Sequence, residues 1–217
     1  MSKLRKRRDV YTKRAKREGY RSRAAYKLIQ INKKFKIFSQ KQIVIDLCGA
    51  PGGFSQIARD TTKGNAKIYL VDFARIKSIP GITDIIKGDI TAFKTVLILR
   101  ERIEKVLDSS NKIVVLADCS PDVSGNWATD HSRQIWLSEV ALGIANYFLA
   151  DTFLTKVFQG EFLKDFVKKI NIYYGEVKTF KPATSRKSSS EIYIIAQRRK
   201  KTHMERFSKE SLYKDEE

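Results

Sequence analysis

The sequence predicts an α/β fold: a mostly parallel sheet of about seven strands, an antiparallel edge strand, and helices on both faces. Three observations carry this. Short apolar runs alternate with longer segments whose apolar residues recur at helical spacing. A glycine-rich turn follows the first apolar run, where a strand would pass into a helix. The last two strand-like runs have no helix of useful length between them, so they pair antiparallel at one edge.

In chain order, Ser22 is placed to cap a helix running to about Phe35, with Tyr26, Leu28, Ile29 and Ile31 on its apolar side. Gln42–Leu47 reads as a buried strand, followed by the glycine turn and a helix from Gly53 to Arg59. Lys67–Asp72 and Asp84–Lys87 are strands. Thr91–Leu107 is an amphipathic helix through Phe93, Val96, Leu97, Ile103 and Val106. Lys112–Asp118 is a strand, His131–Leu149 a helix, Thr152–Phe158 a strand and Glu161–Lys169 a helix. Ile172–Thr179 and Glu191–Gln197 close the sheet. The 217 residues suit one domain (22–199) with a basic arm (1–21) before it and a charged tail (200–217) after it.

Charge narrows the partners. Lys and Arg total 43 against 24 acids, a net charge of +19. A surface this positive attracts polyphosphate chains. The first 27 residues hold twelve Lys or Arg and two acids, with Tyr11, Tyr20 and Tyr26 interleaved. Such an arm can follow RNA phosphates while a tyrosine stacks on a base, or it can be a solvated tail. No apolar run approaches bilayer-spanning length, and no apolar core follows the opening basic stretch as in a signal peptide. The expectation is a soluble, cytoplasmic monomer. Two cysteines, Cys48 and Cys119, and two histidines, His131 and His203, form neither a disulfide framework nor a zinc cluster. Cys48 reads as a small packing residue.

The strongest local signal is Val44–Gln56, VIDLCGAPGGFSQ. It lacks the Lys-Ser/Thr of a P-loop and the spacing of a dinucleotide fingerprint. The ligand that fits is S-adenosylmethionine, whose amino-acid end carries an ammonium and a carboxylate. Asp46 can face the ammonium, and backbone N–H groups at the helix start can face the carboxylate. Asp72, twenty residues after Gly52, can accept from two ribose hydroxyls, and Asp89 can meet the adenine edge.

Lys156 lies in an otherwise apolar strand, where an amine is costly unless paired or used. Asp118 ends the preceding strand, so parallel pairing brings both to one rim; alone, it reads equally as a turn residue. Lys27 and Glu191 alone read as solvated surface, and Tyr193 as sheet packing.

Taken together, YRSRAAYKL, DLCGAPGGFSQ, DCSPDVSG, LTKVFQG and KPATSRKSSSEIYIIA make the chain resemble the FtsJ-type ribose 2′-O-methyltransferases from about Gly19 to Arg199. The resemblance implies a Rossmann-like S-adenosylmethionine-dependent methyltransferase fold and a catalytic tetrad at Lys27, Asp118, Lys156 and Glu191. It implies cofactor contacts at Gly52, Gly53, Phe54, Asp72, Asp89 and Asp118. Phe54 replaces a tryptophan common in the family, and Gly49 an alanine, a change expected to loosen the turn. Lys156 is expected to remove the hydroxyl proton, with a lowered pKa, or to stay charged and stabilise the alkoxide. Arg21, Arg23 and Lys187 are expected to grip RNA phosphates. The implied substrate is a uridine ribose in large-subunit ribosomal RNA. The alternatives are a tRNA anticodon loop and, in another class, a non-catalytic ribosome-assembly factor; the charge argues against a small-molecule substrate.

Overall fold

The computed structural model describes residues 3–108, 110–122, 124–185 and 189–201, with side chains from residue 10 onward. In chain order the elements are α1 (Lys3–Arg17), α2 (Ala25–Phe35), β1 (Gln42–Leu47), α3 (Gly53–Thr61), β2 (Lys67–Asp72), β3 (Asp84–Lys87) and α4 (Phe93–Glu104). There follow β4 (Lys112–Ala117), α5 (Trp127–Tyr147), β5 (Thr152–Phe158), α6 (Leu163–Tyr173), β6 (Tyr174–Phe180) and β7 (Glu191–Arg199). The seven strands form one sheet in the order β3-β2-β1-β4-β5-β7-β6. All pairs from β3 to β5 are parallel, whereas β7 runs antiparallel to both β5 and β6.

All six residues of β1 are buried, as its central place requires. Ile43, Ile45 and Leu47 join the layer of α4, α5 and α6, with Leu99, Leu142 and Ile170. Val44 joins the opposite layer with Leu28 of α2 and Ile57 of α3. The antiparallel pair lies at one edge as the sequence predicts, but β7 sits inside and β6 is the edge strand. Apolar content explains the order. Ile192–Ala196 of β7 are all buried, whereas β6 leaves Gly175, Lys178 and Thr179 exposed.

Helix ends depart from expectation by local chemistry. α5 starts four residues before His131, because the Asn126 side chain accepts from the Thr129 N–H at 3.1 Å and caps it. Ser22 is not a side-chain cap: its carbonyl accepts from the Ala25 N–H at 3.3 Å, and α2 begins without one. The arm is helical and its end is docked. Ala15 is buried, Tyr26 donates to Glu18 at 2.9 Å, and the Tyr26 ring meets Tyr11 and Tyr20 at 5.7 and 5.9 Å. Those tyrosines thus pack on one another.

The cysteines correct the sequence reading. Cys48 and Cys119 are joined in a disulfide across 71 residues. β1 and β4 are register partners through Leu47 and Ala117, so chain positions just beyond their ends lie side by side. Linear spacing gave no hint of that. Among the described residues no helix is long and apolar enough to cross a membrane, and no group of His, Cys, Asp and Glu could hold a metal.

Candidate active site

The carboxyl ends of β1, β2 and β4 meet at one rim, where a ligand crevice is expected in such a sheet. Ser22, Ala24, Asp46, Cys48, Gly49, Ala50, Gly53, Phe54 and Asp118 line a small pocket there. Tight approach, not looseness, accounts for Gly49: a Cβ would come within 2.7 Å of Leu70 Cγ and 2.9 Å of the Asp46 carboxylate. Gly52 adopts φ +111°, and a Cβ there would collide with Ile79.

Asp46 is fully buried. Its Oδ2 accepts from Ser55 at 2.6 Å, while Oδ1 has no hydrogen-bond partner. Burial pushes its carboxyl up to about 7; Ser55 opposes, and the charges of Asp118 and Asp72 add to the rise. Asp72 Oδ2 accepts from the Ala50 N–H at 2.9 Å and Oδ1 from the Ala74 N–H at 2.8 Å. A carboxylate oxygen can accept more than one hydrogen bond, so both retain capacity for hydroxyl donors. Asp89 is exposed, and its Oδ1 accepts from the Thr91 N–H at 2.9 Å.

An open acceptor in a buried pocket, a two-oxygen acceptor beside it and glycines that admit close approach fit S-adenosylmethionine. The ammonium suits Asp46 Oδ1, and the ribose suits Asp72. Phe73, directly after Asp72, is 76% exposed and adds apolar surface beside that acid.

The four tetrad positions converge. Lys156, only 3% exposed, places Nζ 3.3 Å from Asp118 Oδ1 and donates to the Asp118 carbonyl at 3.1 Å and to Ser120 Oγ. Lys27, buried on α2, pairs with Glu191 at 3.3 Å. Tyr193 joins the two pairs: it faces Lys156 across the β5–β7 ladder, donates to Asp118 Oδ1 at 2.8 Å, and its ring lies 5.5 Å from Lys27 Nζ. Burial alone would raise the Asp118 carboxyl. Lys156 and Lys27, with the Tyr193 and Lys156 hydrogen bonds, outweigh it and hold the group below its ordinary value. Tyr193 itself is driven well above the ordinary phenol value by burial and by Asp118.

From α5, Gln134 donates to the Lys156 carbonyl at 2.9 Å and to the Cys119 carbonyl at 3.2 Å, tying both lips of the site to one helix. Tyr193 was legible as a same-face neighbour two residues beyond Glu191. Ser120 and Gln134 needed the register of β4 and β5.

The expected RNA contacts divide. Arg21 donates to the carbonyls of Lys77 at 2.7 Å, Ser78 at 2.5 Å and Pro51 at 3.4 Å, so its guanidinium braces the cofactor loop. Arg23 is half-buried and bears on the Tyr193 hydroxyl electrostatically. Lys187 lies outside the described residues.

A model of the FtsJ-like methyltransferases matches residues 20–199 of the chain. Relatives named ribosomal RNA large subunit methyltransferase E share its sequence. Those of Methanococcoides burtonii and Methanosarcina acetivorans are 42% and 41% identical over 89% of this chain, and over 71% and 70% of their own lengths. That of Methanocaldococcus jannaschii is 39% identical over 90% of this chain and 80% of its own. A crystal structure of a ribosomal RNA methyltransferase from Plasmodium falciparum superposes with a TM-score of 0.71 at 26% identity, covering 83% of this chain and 98% of the other.

Proposed function

The chain belongs to the FtsJ-like methyltransferase family, and we propose that it moves a methyl group from S-adenosylmethionine to a ribose 2′-hydroxyl of large-subunit ribosomal RNA. The observation that carries this is the convergence of Lys27, Asp118, Lys156 and Glu191 beside the pocket that Asp46 and Asp118 line. The relatives' name and the +19 charge support the substrate class.

When bound, the cofactor supplies an electrophilic methyl on a sulfonium. The chain's residues do the rest. Asp46 Oδ1 receives the ammonium, and Asp72 receives the ribose hydroxyls. Phe54, buried against the Tyr193 ring at 6.3 Å, closes the floor.

A ribose hydroxyl is a weak nucleophile at neutral pH, so its proton must leave as the oxygen attacks. In the step proposed, Lys156 accepts the hydroxyl proton at Nζ. The ammonium so formed finds acceptors already in place: Asp118 Oδ1, the Asp118 carbonyl and Ser120 Oγ. Preorganised acceptors favour the charge that appears in the transition state. Lys27 and Glu191, paired with each other, position the ribose and keep the Lys156 amine turned toward it.

The deciding experiment incubates the protein and labelled cofactor with isolated large subunits and, separately, with bulk tRNA, then maps the modified ribose. Methyl transfer to large-subunit RNA at a 2′-oxygen is expected. Transfer to tRNA alone would replace the substrate class. Cofactor binding without transfer to either would overturn the enzyme reading in favour of an assembly factor.

A further inference from the structure

Beyond the cofactor pocket, the same rim carries a stack of four aromatic rings that the chemistry above does not use. Trp127, the first residue of α5, lies parallel to His131, with centroids 5.9 Å apart and planes 5° apart. His131 in turn stacks on Phe162 at 5.4 Å and 13°, and Phe158 flanks Trp127 at 5.9 Å and 27°. The imidazole is held through Nε2, while its buried Nδ1 has no hydrogen-bond partner among the described residues. It is 2% exposed, its Nε2 accepts from the Phe162 N–H at 3.2 Å, and Gly160 packs so closely that a Cβ would come within 2.6 Å of Nε2. Burial lowers the His131 pKa despite the charge of Glu161, which favours a neutral ring under the indole. Trp127 nevertheless remains 52% exposed.

Trp127 thus offers indole surface to solvent while stacked against neighbouring rings. Its position gives it a purpose. Phe158 stands two residues after Lys156 on β5, a span of about 7 Å along a strand, and directly opposite Glu191 in the β5–β7 register. The stack therefore begins where the tetrad ends. A polynucleotide presenting one ribose to Lys156 carries neighbouring bases past this spot, and bases stack on flat aromatic surfaces irrespective of sequence.

We propose that Trp127, supported by His131, Phe158 and Phe162, is a stacking site for an unpaired nucleobase next to the methylated nucleotide. This rests on the RNA-methyltransferase reading. It assigns the occupant to RNA because the platform adjoins the tetrad and the whole chain carries +19. Preorganisation suits the role, since a clamped ring loses little freedom on binding.

The chain has two tryptophans, so Trp136→Phe leaves Trp127 as the sole indole reporter. That variant is titrated with a mixed-sequence single-stranded oligoribonucleotide of about 12 nucleotides, and with an abasic oligomer of the same length. The base-bearing oligomer is expected to quench most of the indole emission, and the abasic one to bind without quenching. Trp127→Ala is expected to weaken oligomer binding by roughly 5- to 150-fold and to raise the KM for RNA. Its affinity for S-adenosylmethionine stays unchanged by calorimetry, and Trp127→Phe restores most of the RNA affinity. RNA bound, by anisotropy, with no quenching would overturn the stacking site and leave the enzyme reading intact. So would undiminished oligomer binding by Trp127→Ala accompanied by lost activity on intact subunits, which would assign the rings to a protein contact. No RNA binding by the unaltered chain would overturn both.

Discussion

Protonation of Asp46 should compete with the cofactor. Its carboxyl, fully buried and pushed up to about 7, is mostly neutral at pH 6 in the cofactor-free protein. Binding an ammonium at Oδ1 favours the carboxylate, so binding must expel a proton. With the group near 7, about 0.9 proton leaves at pH 6 and about half a proton at pH 7, and affinity weakens toward about tenfold per unit below that. A free α-ammonium keeps its proton below about pH 7, so the signal belongs to Asp46. The same shift affects folding. A raised acid pKa contributes stability that is complete below the ordinary value of 3.8 and lost as pH rises through about 7. The span corresponds to about 4 kcal/mol, an upper figure for a site that relaxes. Asp46→Asn removes the titration. It should therefore abolish proton release while making the cofactor-free protein more stable than the parent at pH 8. The assay is calorimetry of S-adenosylmethionine binding in buffers of different ionisation enthalpy, beside urea unfolding of the free protein. Binding heats independent of buffer at pH 6 would refute the placement of the ammonium at Asp46.

The other expectations follow from the remaining contacts. Lys156→Ala should lower kcat by at least about 10²-fold while calorimetric cofactor affinity persists; near-parental turnover would remove Lys156 from the chemistry. Glu191→Gln weakens the partner of Lys27 without removing its bulk, so activity should fall while the urea midpoint moves little, and an unchanged kcat/KM would deny Glu191 a role. RNA affinity should fall steeply with salt, log K against log salt giving a slope of about −0.7 per neutralised phosphate; a flat plot would exclude an electrostatic grip. Asn126→Ala removes the α5 cap and should cost about 1 kcal/mol in chemical unfolding. Reduction of the Cys48–Cys119 bond reopens a 71-residue separation and should lower stability by up to about 4 kcal/mol, read as a drop in Tm with dithiothreitol that the double serine variant does not show.

How far the sequence could be read depended on whether a feature was local or lateral. β5 begins and ends where its apolar run does, because a strand buried on both faces announces itself by composition. Asp46, Asp72 and Asp118 were legible because acids at or just beyond strand ends follow from the chain direction of a parallel sheet. α5 started earlier than its apolar pattern, since the cap on Asn126 admits a first turn with exposed Trp127 and Ala128. The Cys48–Cys119 bond, the grip of Gln134 on the Lys156 carbonyl and the support of Ser120 all depend on which strand lies beside which. Arg21 shows the converse case. Its charge suggested a phosphate, whereas three of its five N–H donors go to backbone carbonyls, a structural task that the sequence did not announce.

The reversed direction of β7 has a consequence for synthesis. Glu191 and Tyr193 sit on the last strand to leave the ribosome, and that strand must enter between β5 and β6, both made earlier. A nascent chain halted before it has no Glu191 for Lys27 and no Tyr193 hydroxyl for Asp118. On the proposed reading, the set of side chains that would carry transfer is complete only once that last strand is in place.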